Sequence, residues 1–274
     1  MHTKLFPIMY TEAAKTATEA IGQGVAAFSH MEAGTQGTVV LVSVDRVISI
    51  FDGLLGQGWN PEDIEPSSAT GQYAYKMLGR RAIVGTVDFS SGEYDELWDV
   101  NYSAGVASYG PLAYQIAMHE IDQNWLMSDE SLKPASQKVW QKMFELSNKG
   151  VYQRRWLGKW GAGPLSDRLA IGPGRQDLRD YEDGIDYGDV EETDEAYFLE
   201  WLEERELQPN TYGWLWAYRT TSHDPKIEDL FLKGKDLENV LIERYGFSEE
   251  EIAKIFVESG SKFFNRLYGG KASY

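Results

Sequence analysis

The sequence predicts an α/β protein with a mixed central sheet flanked by helices, followed by a mainly helical, acidic C-terminal region. Apolar runs rich in β-branched residues, TVVLV at 38–42 and AIVGTV at 82–87, are typical of buried strands. Residues 158–177 are instead rich in Gly and Pro, and an acidic stretch follows them. We therefore expect an α/β domain at 1–160, a linker at 161–192 and a helical region at 193–274.

The first half of the domain predicts one helix followed by strands. Alanines dominate residues 11–29, so this stretch predicts a helix with Thr11 as its N-cap. The apolar run that opens at residue 37 predicts a strand. Its continuation at 47–55 fits a helix or a strand, because periodicity does not separate the two in so short a run.

The second half of the domain predicts strands that alternate with helices. One helix is expected to start at Pro111, after a Gly-containing turn, and another at 134–148 presents Val139, Trp140, Met143 and Phe144 on one face. Strands are predicted at 80–91, 97–103, 124–128 and 151–158.

Three helices are predicted after the linker, at 193–206, 226–245 and 248–268. Thr193 is the expected N-cap of the first one. Ser248 and Glu251 have the spacing of a capping box, in which each residue satisfies the backbone N–H of the other. This pair predicts the start of the last helix.

The composition excludes several kinds of chemistry. The chain has no cysteine, so it forms no disulfide, thiolate nucleophile or cysteine zinc site. Its four histidines, at positions 2, 30, 119 and 223, are scattered, and we expect no metal site. We expect no membrane span, because no run of eighteen apolar residues occurs, and no secretory signal at the start. The expected site of action is a reducing cytosol or a particle assembled in one.

Acidic residues dominate the charge of the chain, which is −17. This balance argues against direct binding to nucleic acid, whose phosphates are bound by Lys and Arg. Residues 177–206 hold 14 acidic residues and two basic ones, a net charge of −12. The segment is either a solvated acidic surface or one that mimics nucleic acid or docks on a basic partner.

The stretch ASYGPLAYQIAMHE at 107–120 is the candidate binding turn. The first N–H groups of a helix lack internal acceptors, and the helix dipole favours an anion there. Gly110 has no Cβ to obstruct a phosphate, and Pro111 suits the first helical turn. The amides of Tyr109, Gly110, Leu112 and Ala113 are the candidate donors. A purely structural strand-to-helix turn explains the same residues.

The passage from 97 to 147 resembles the central part of the GNAT (Gcn5-related) acyltransferase fold. GVASYGPLAYQIAM at 105–118, followed by SDESLKPASQKVWQKM at 128–143, is similar to GNAT-like proteins encoded by tailed bacteriophages. The resemblance implies that the turn holds the pyrophosphate of acetyl-CoA and that the acetyl group passes to an amine. The residues implied in cofactor binding are Gly105, Ser108, Tyr109, Gly110, Leu112 and Ala113.

The sequence also departs from the GNAT pattern. Gly105 stands where the family has Arg or Gln, and Ser108 stands at the middle glycine of the turn. Trp140 replaces a tyrosine of the family, and its indole N–H is no general acid. The candidate base is Asp99, with Glu93, Asp95 and Glu96 as neighbours. The candidate hydroxyl acids are Tyr109 and Tyr114, and also Tyr102.

Three functions therefore remain open. The first is an acetyl-CoA-dependent N-acetyltransferase with degenerate catalytic motifs. The second, implied by the phage resemblance, is a catalytically silent virion-associated or assembly protein that uses the fold as a platform and contacts phage structural proteins. The third is an anti-defence protein whose acidic segment at 177–206 imitates DNA or engages a basic host protein. The resemblance implies the host cytoplasm or the virion as the location.

Overall fold

Seven strands form one mixed sheet in the part of the chain that the computed structural model describes. These residues are 15–64, 68–91, 96–106, 108–122, 124–128, 134–157, 195–204, 206, 216–222 and 224–268. The strands are β1 (Val25–Glu32), β2 (Gln36–Ser43), β3 (Ile83–Ser91), β4 (Leu97–Gly105), β5 (Trp125–Ser128), β6 (Tyr152–Trp156) and β7 (Trp216–Thr220). Their order in the sheet is β1-β2-β3-β4-β5-β7-β6.

Helices precede, connect and follow these strands, which confirms the predicted α/β class. The helices among the described residues are α1 (Ala17–Gly22), α2 (Val44–Gly56), α3 (Ala69–Arg81), α4 (Tyr109–Glu120), α5 (Pro134–Asn148), α6 (Glu195–Glu204), α7 (Pro225–Tyr245) and α8 (Glu249–Tyr268). A short 3-10 helix spans Pro61–Asp63.

The chain forms two compact units. The first comprises Met1–Val87, Ser103–Ile116 and Asp224–Tyr274, and the second comprises Asp88–Tyr102 and Ala117–His223. Strands β3 and β4 and helix α4 contribute residues to both units.

The first unit is built on the antiparallel hairpin of β1 and β2, with its apolar core against α2, α3, α7 and α8. Helix α7 approaches β1 so closely that a Cβ on Gly234 would lie 2.1 Å from the Ala27 carbonyl oxygen. The rings of Phe28 on β1 and Phe256 on α8 stack with centroids 4.1 Å apart. The last two helices therefore complete a core that begins near the start of the described chain.

Residues 25–29 form part of β1, so the predicted helix over 11–29 is wrong in its second half. The helix ends at Gly22, and Gly24 follows it with φ +70°. Strand β1 then pairs with β2 from Val25↔Ser43 to Glu32↔Gln36. Pairing with an apolar neighbour outweighs the helix propensity of alanine here. Thr11 lies outside the described residues, and Thr16 caps α1 in a capping box with Glu19.

The second unit contains a parallel pair of strands. Strand β4 pairs with β5 from Leu97↔Trp125 to Val100↔Ser128, and α4 lies between the two in the chain. Strand β7 is antiparallel to both β5 and β6. No strand was predicted at the position of β7.

Helix α3 (Ala69–Arg81) was not predicted from the sequence, whereas most of the remaining elements agree with it. The predicted strands at 37–43, 80–91, 97–103, 124–128 and 151–158 correspond to β2, β3, β4, β5 and β6, and the predicted helices at 134–148, 193–206, 226–245 and 248–268 correspond to α5 to α8. The ambiguous stretch at 47–55 lies in α2. Thr193 lies outside the described residues, whereas the Ser248–Glu251 capping box is confirmed, since each residue bonds to the backbone N–H of the other.

Candidate functional site

The turn between β4 and α4 is the site that the sequence singles out. Strand β4 ends at Gly105 and α4 begins at Tyr109, two residues before the start expected at Pro111. Ser108 has φ +70°, a left-handed conformation that favours glycine. Its carbonyl oxygen accepts a hydrogen bond from the Lys15 amide at 3.2 Å. Ala107 lies outside the described residues.

The two glycines of the turn press against each other. A Cβ built on Gly105 would lie 2.5 Å from the Gly110 nitrogen and 2.7 Å from its Cα. No side chain fits at Gly105 without moving backbone, so the Arg or Gln of the GNAT pattern has no room in this turn. Glycine at this position therefore has a steric explanation.

Three of the four candidate amide donors are used within the protein. The Tyr109 N–H donates to the Val106 carbonyl oxygen at 3.0 Å. Leu112 and Ala113 lie far enough into α4 for their N–H groups to bond to carbonyls four residues earlier. Of the predicted donors, Gly110 sits in the first turn of the helix, and its N–H has no backbone acceptor among the described residues. Its single N–H is a much smaller anion site than the expected group of four.

The hydroxyl groups of the two candidate tyrosine acids are hydrogen-bonded within the first unit. Tyr109 is buried, and its hydroxyl donates to Gln23 Oε1 at 2.6 Å. The Tyr114 hydroxyl lies 2.6 Å from Ser103 Oγ, and its side chain is also buried. Burial, with a smaller contribution from the negative charge of Glu19, raises the pKa of Tyr109. A raised pKa makes this hydroxyl a weaker acid near neutral pH.

The candidate carboxylates lie on or beside β4 in the second unit. Asp99 is half-buried and stands opposite Met127 in the register of β4 with β5. Glu96 is exposed and forms an ion pair with Arg155 at 3.0 Å. Glu93 and Asp95 lie outside the described residues. Tyr102 lies on β4 and is half-buried.

Polar side chains on β3 and β4 form a cluster that was not predicted from the sequence. The Asp88 side chain is buried, and its Oδ1 accepts a hydrogen bond from Asn101 Nδ2 at 2.8 Å. Ser90 Oγ donates to Asn101 Oδ1 at 3.1 Å. The signal in the sequence is a carboxylate inside an otherwise apolar strand, IVGTVDF, because such a residue needs a partner when it is buried. Asn101 supplies that partner.

A second missed residue is Tyr218 on β7. Its side chain is fully buried, and its hydroxyl has no hydrogen-bond partner within the described part of the chain. Burial raises the pKa of this hydroxyl. Its ring packs against Trp140, with centroids 5.6 Å apart. Trp140 is therefore a core residue of the second unit.

The described residues contain no group of three or more His, Asp or Glu side chains placed to hold a metal ion. His30 lies on β1 and His119 on α4. No helix in this part of the chain has both the length and the apolarity to cross a bilayer.

The fold defines an α/β protein with a mixed seven-stranded sheet, flanking helices and two helices at the C-terminal side of the chain. No family model matches the chain, and no curated protein or solved structure matches it.

Proposed function

We propose that the protein is a GNAT-like scaffold that has lost acyl transfer and acts as a binding or assembly protein. The observation that carries this proposal is that most of the predicted amide donors in the turn before α4 are already used within the protein. The Tyr109 amide donates to Val106, and the Leu112 and Ala113 amides lie inside the helix. Of the predicted amides, only that of Gly110 remains for a diphosphate at the turn. Gly105 also lacks the side chain that the Arg or Gln of the family would contribute. The residues present do not fit the pyrophosphate cradle of the family.

The candidate acids also support a silent scaffold. A general acid must present its proton to the substrate near the working pH. The Tyr109 hydroxyl donates instead to Gln23, the Tyr114 hydroxyl is paired with Ser103, and Trp140 is buried in the core.

The acidic segment at 177–206 supplies the proposed contact with a partner. Its described part, α6, exposes Glu200, Glu203 and Glu204. A surface of this charge attracts a basic protein over a distance of about one Debye length. The resemblance to phage-encoded proteins makes a phage structural protein or a basic host protein the proposed partner, and the host cytoplasm or the virion the proposed location.

Acetyl-CoA binding with acetyl transfer to an amine is the second candidate function. Two observations favour it. The first is a β-α-β motif, made of strand β4, helix α4 and strand β5, which is parallel to β4. In folds built from such motifs, ligands bind at the carboxyl ends of the strands. The second is that Ser108, at the position where the family has a glycine, has φ +70°, a conformation that favours glycine.

Calorimetry with coenzyme A and with acetyl-CoA separates the two candidates. We expect no saturable heat, which corresponds to a Kd above about 1 mM. Saturable binding that weakens at least about tenfold in Gly110→Ala, but not in the control Gly56→Ala, would establish the cofactor binding that the second candidate requires and would contradict the first. Gly56 is a suitable control because a Cβ there meets nothing within 4 Å.

A basic peptide tests the partner contact. Decalysine should bind the protein, and binding should weaken as NaCl rises because exposed charges are screened. A variant with the nine acidic residues of 177–194 changed to amides should lose this binding. Glu195 is spared because its carboxylate bonds to Arg154 and Trp216. The proposed contact would be contradicted if binding were unchanged both by added NaCl and by the substitution of the nine acidic residues.

A further inference from the structure

A cleft between α2 and α3 in the first unit lies apart from the turn and has a volume of about 560 Å³. This volume is within the range of sites that hold small organic molecules. Two adjacent rows of α2 line it at four-residue spacing, 45/49/53 and 46/50/54. Gln57, which follows the helix, and residues 73, 77, 80 and 81 of α3 complete the lining. In a chain of net charge −17, three arginines and one aspartate line this cleft.

The arginines gather where α2 begins and α3 ends. Arg46 Nη1 donates to the Arg81 carbonyl oxygen at 3.0 Å, and Arg266 donates to the Arg80 carbonyl oxygen. Arg46 and Arg266 therefore cap the last carbonyls of α3. The guanidinium groups of Arg80 and Arg81 are exposed and have no partner within the described part of the chain. They remain available to bind a phosphate or carboxylate through paired N–H groups.

Apart from the polar side chains of Asp45, Ser49 and Gln57, the rest of the cleft is apolar and aromatic. Ile50 and Leu54 are buried side chains that line it, and Met77 is half-buried. The Tyr73 ring is 44% exposed and lies edge-on to Trp59, with centroids 5.3 Å apart. Exposed tyrosine rings beside apolar side chains are typical of surfaces that hold flat, amphipathic ligands.

Gly53 keeps the cleft open. It lies in the middle of one lining row of α2, and a Cβ built on it meets nothing within 4 Å. A larger side chain would project into the cleft without displacing backbone. Gly56, three residues later in the same helix, also has free space around its Cβ but does not line the cleft.

We propose that the cleft between α2 and α3 binds a small amphipathic anion, an aromatic or acyl compound carrying a phosphate or carboxylate group. Arg80 and Arg81 bind the anionic group, and Tyr73 with Ile50, Leu54 and Met77 holds the apolar body. The site takes no part in the proposed partner contact or in acyl transfer.

The test uses 1-naphthyl phosphate, whose binding is followed by fluorescence anisotropy. We expect saturable binding of one molecule per chain. Neutral 1-naphthol, which lacks the anion, and inorganic phosphate, which lacks the apolar body, should each bind at least about tenfold more weakly. Equal binding of 1-naphthol would overturn the role of the arginines, and absent binding of 1-naphthyl phosphate would overturn the site.

Two pairs of variants locate the binding. Gly53→Leu should abolish it and Gly56→Leu should leave it unchanged, since only the first side chain enters the cleft. The double variant R80Q/R81Q should weaken it about tenfold, whereas K76Q/K149Q, which removes two charges outside the cleft, should not. Thermal unfolding confirms that each variant is folded. Wild-type affinity in both Gly53→Leu and R80Q/R81Q would contradict the proposal.

Discussion

Arg154 Nε on β6 lies 2.6 Å from Glu195 Oε1 on α6, and both side chains are largely buried, with 16% and 26% exposed. Glu195 also accepts a hydrogen bond from Trp216 Nε1 at 2.8 Å. The Arg154 guanidinium stacks over the Phe144 ring, 4.1 Å from its centroid. One carboxylate therefore satisfies two donors from neighbouring strands of the second unit.

Changing Glu195 to Ala should lower the free energy of unfolding by about 2 kcal/mol, because it removes the shared acceptor of the Arg154 Nε–H and the Trp216 indole N–H. Arg154 Nη1 keeps its hydrogen bonds to Ser147 and Asn148. Urea denaturation measures the change. The control is Glu145→Ala, which breaks the exposed Lys142–Glu145 pair at 3.3 Å and should cost less than about 0.5 kcal/mol. Equal effects of the two changes would show that the Arg154–Glu195 pair contributes no more than an exposed one.

Changing Gly234 to Ala should destabilise the first unit by about 2 kcal/mol or more, because its Cβ would lie 2.1 Å from the Ala27 carbonyl oxygen and neither backbone can yield freely. The melting temperature and the urea midpoint should both fall. Gly56→Ala is the matched control, and it should stabilise the protein by up to about 1 kcal/mol through helix propensity. A Gly234→Ala protein as stable as the wild type would show that α7 can move away from β1.

Changing Ser248 to Ala should cost about 1 kcal/mol, because it removes the acceptor for the Glu251 amide at the start of α8. Hydrogen bonds from the Ser248 backbone and hydroxyl lower the pKa of Glu251 in the folded protein. A lowered folded pKa means that this contribution is present at neutral pH and disappears as the pH falls through the folded pKa. The stability difference between wild type and Glu251→Gln should therefore shrink below about pH 4. A difference that stays constant down to about pH 2 would contradict this assignment.

Changing Tyr245 to Phe should cost about 1 kcal/mol at neutral pH. The Tyr245 hydroxyl donates to Asp52 Oδ1 at 2.8 Å. Burial, together with the hydrogen bond to Asp52 and its charge, raises the pKa of Tyr245 to about 12. Since the unfolded value is about 10, this contribution is complete below about pH 10 and is lost as the pH rises towards the folded pKa. Unfolding curves at increasing pH should show a smaller alkaline loss for Tyr245→Phe than for wild type, and identical slopes would refute this.

Local sequence signals predicted many of the helices and strands whose residues have a regular period or a cap, although α3 was missed despite its N-cap Ser68. The Ser248–Glu251 box fixed the start of α8, and the run at 38–42 predicted β2. Strand β1 was missed because its alanines favour a helix, and its partner follows a tight turn at Ala33 and Gly34. Both of these residues have positive φ, as the central residues of a type I′ turn require, and they lie in a three-residue loop between Glu32 and Gln36. An Ala-Gly pair is a weaker signal for this turn than Asn-Gly.

The sequence predicted the position of the candidate turn correctly, but it did not predict which backbone amides of the turn are already hydrogen-bonded. Hydrogen bonds such as Tyr109 N–H to Val106 depend on where the helix starts, and a shift of two residues decides which amides remain available. The contact of Gly105 with Gly110 is likewise a matter of distance. The arginine-lined cleft was not predicted because its lining residues come from two helices, and no single stretch of the sequence contains both the arginines and the apolar side chains.

The position of β7 between β5 and β6 has a consequence during synthesis. When the ribosome has synthesised the chain as far as Trp156, strands β5 and β6 are complete, but β7, which lies between them in the sheet, has not yet been made. At about 5–20 residues per second, β7 follows some seconds later. During that interval both strands expose a row of unsatisfied amides and carbonyls to other nascent chains. Translation that stops before Trp216 should yield an aggregation-prone product, which a chaperone would need to hold.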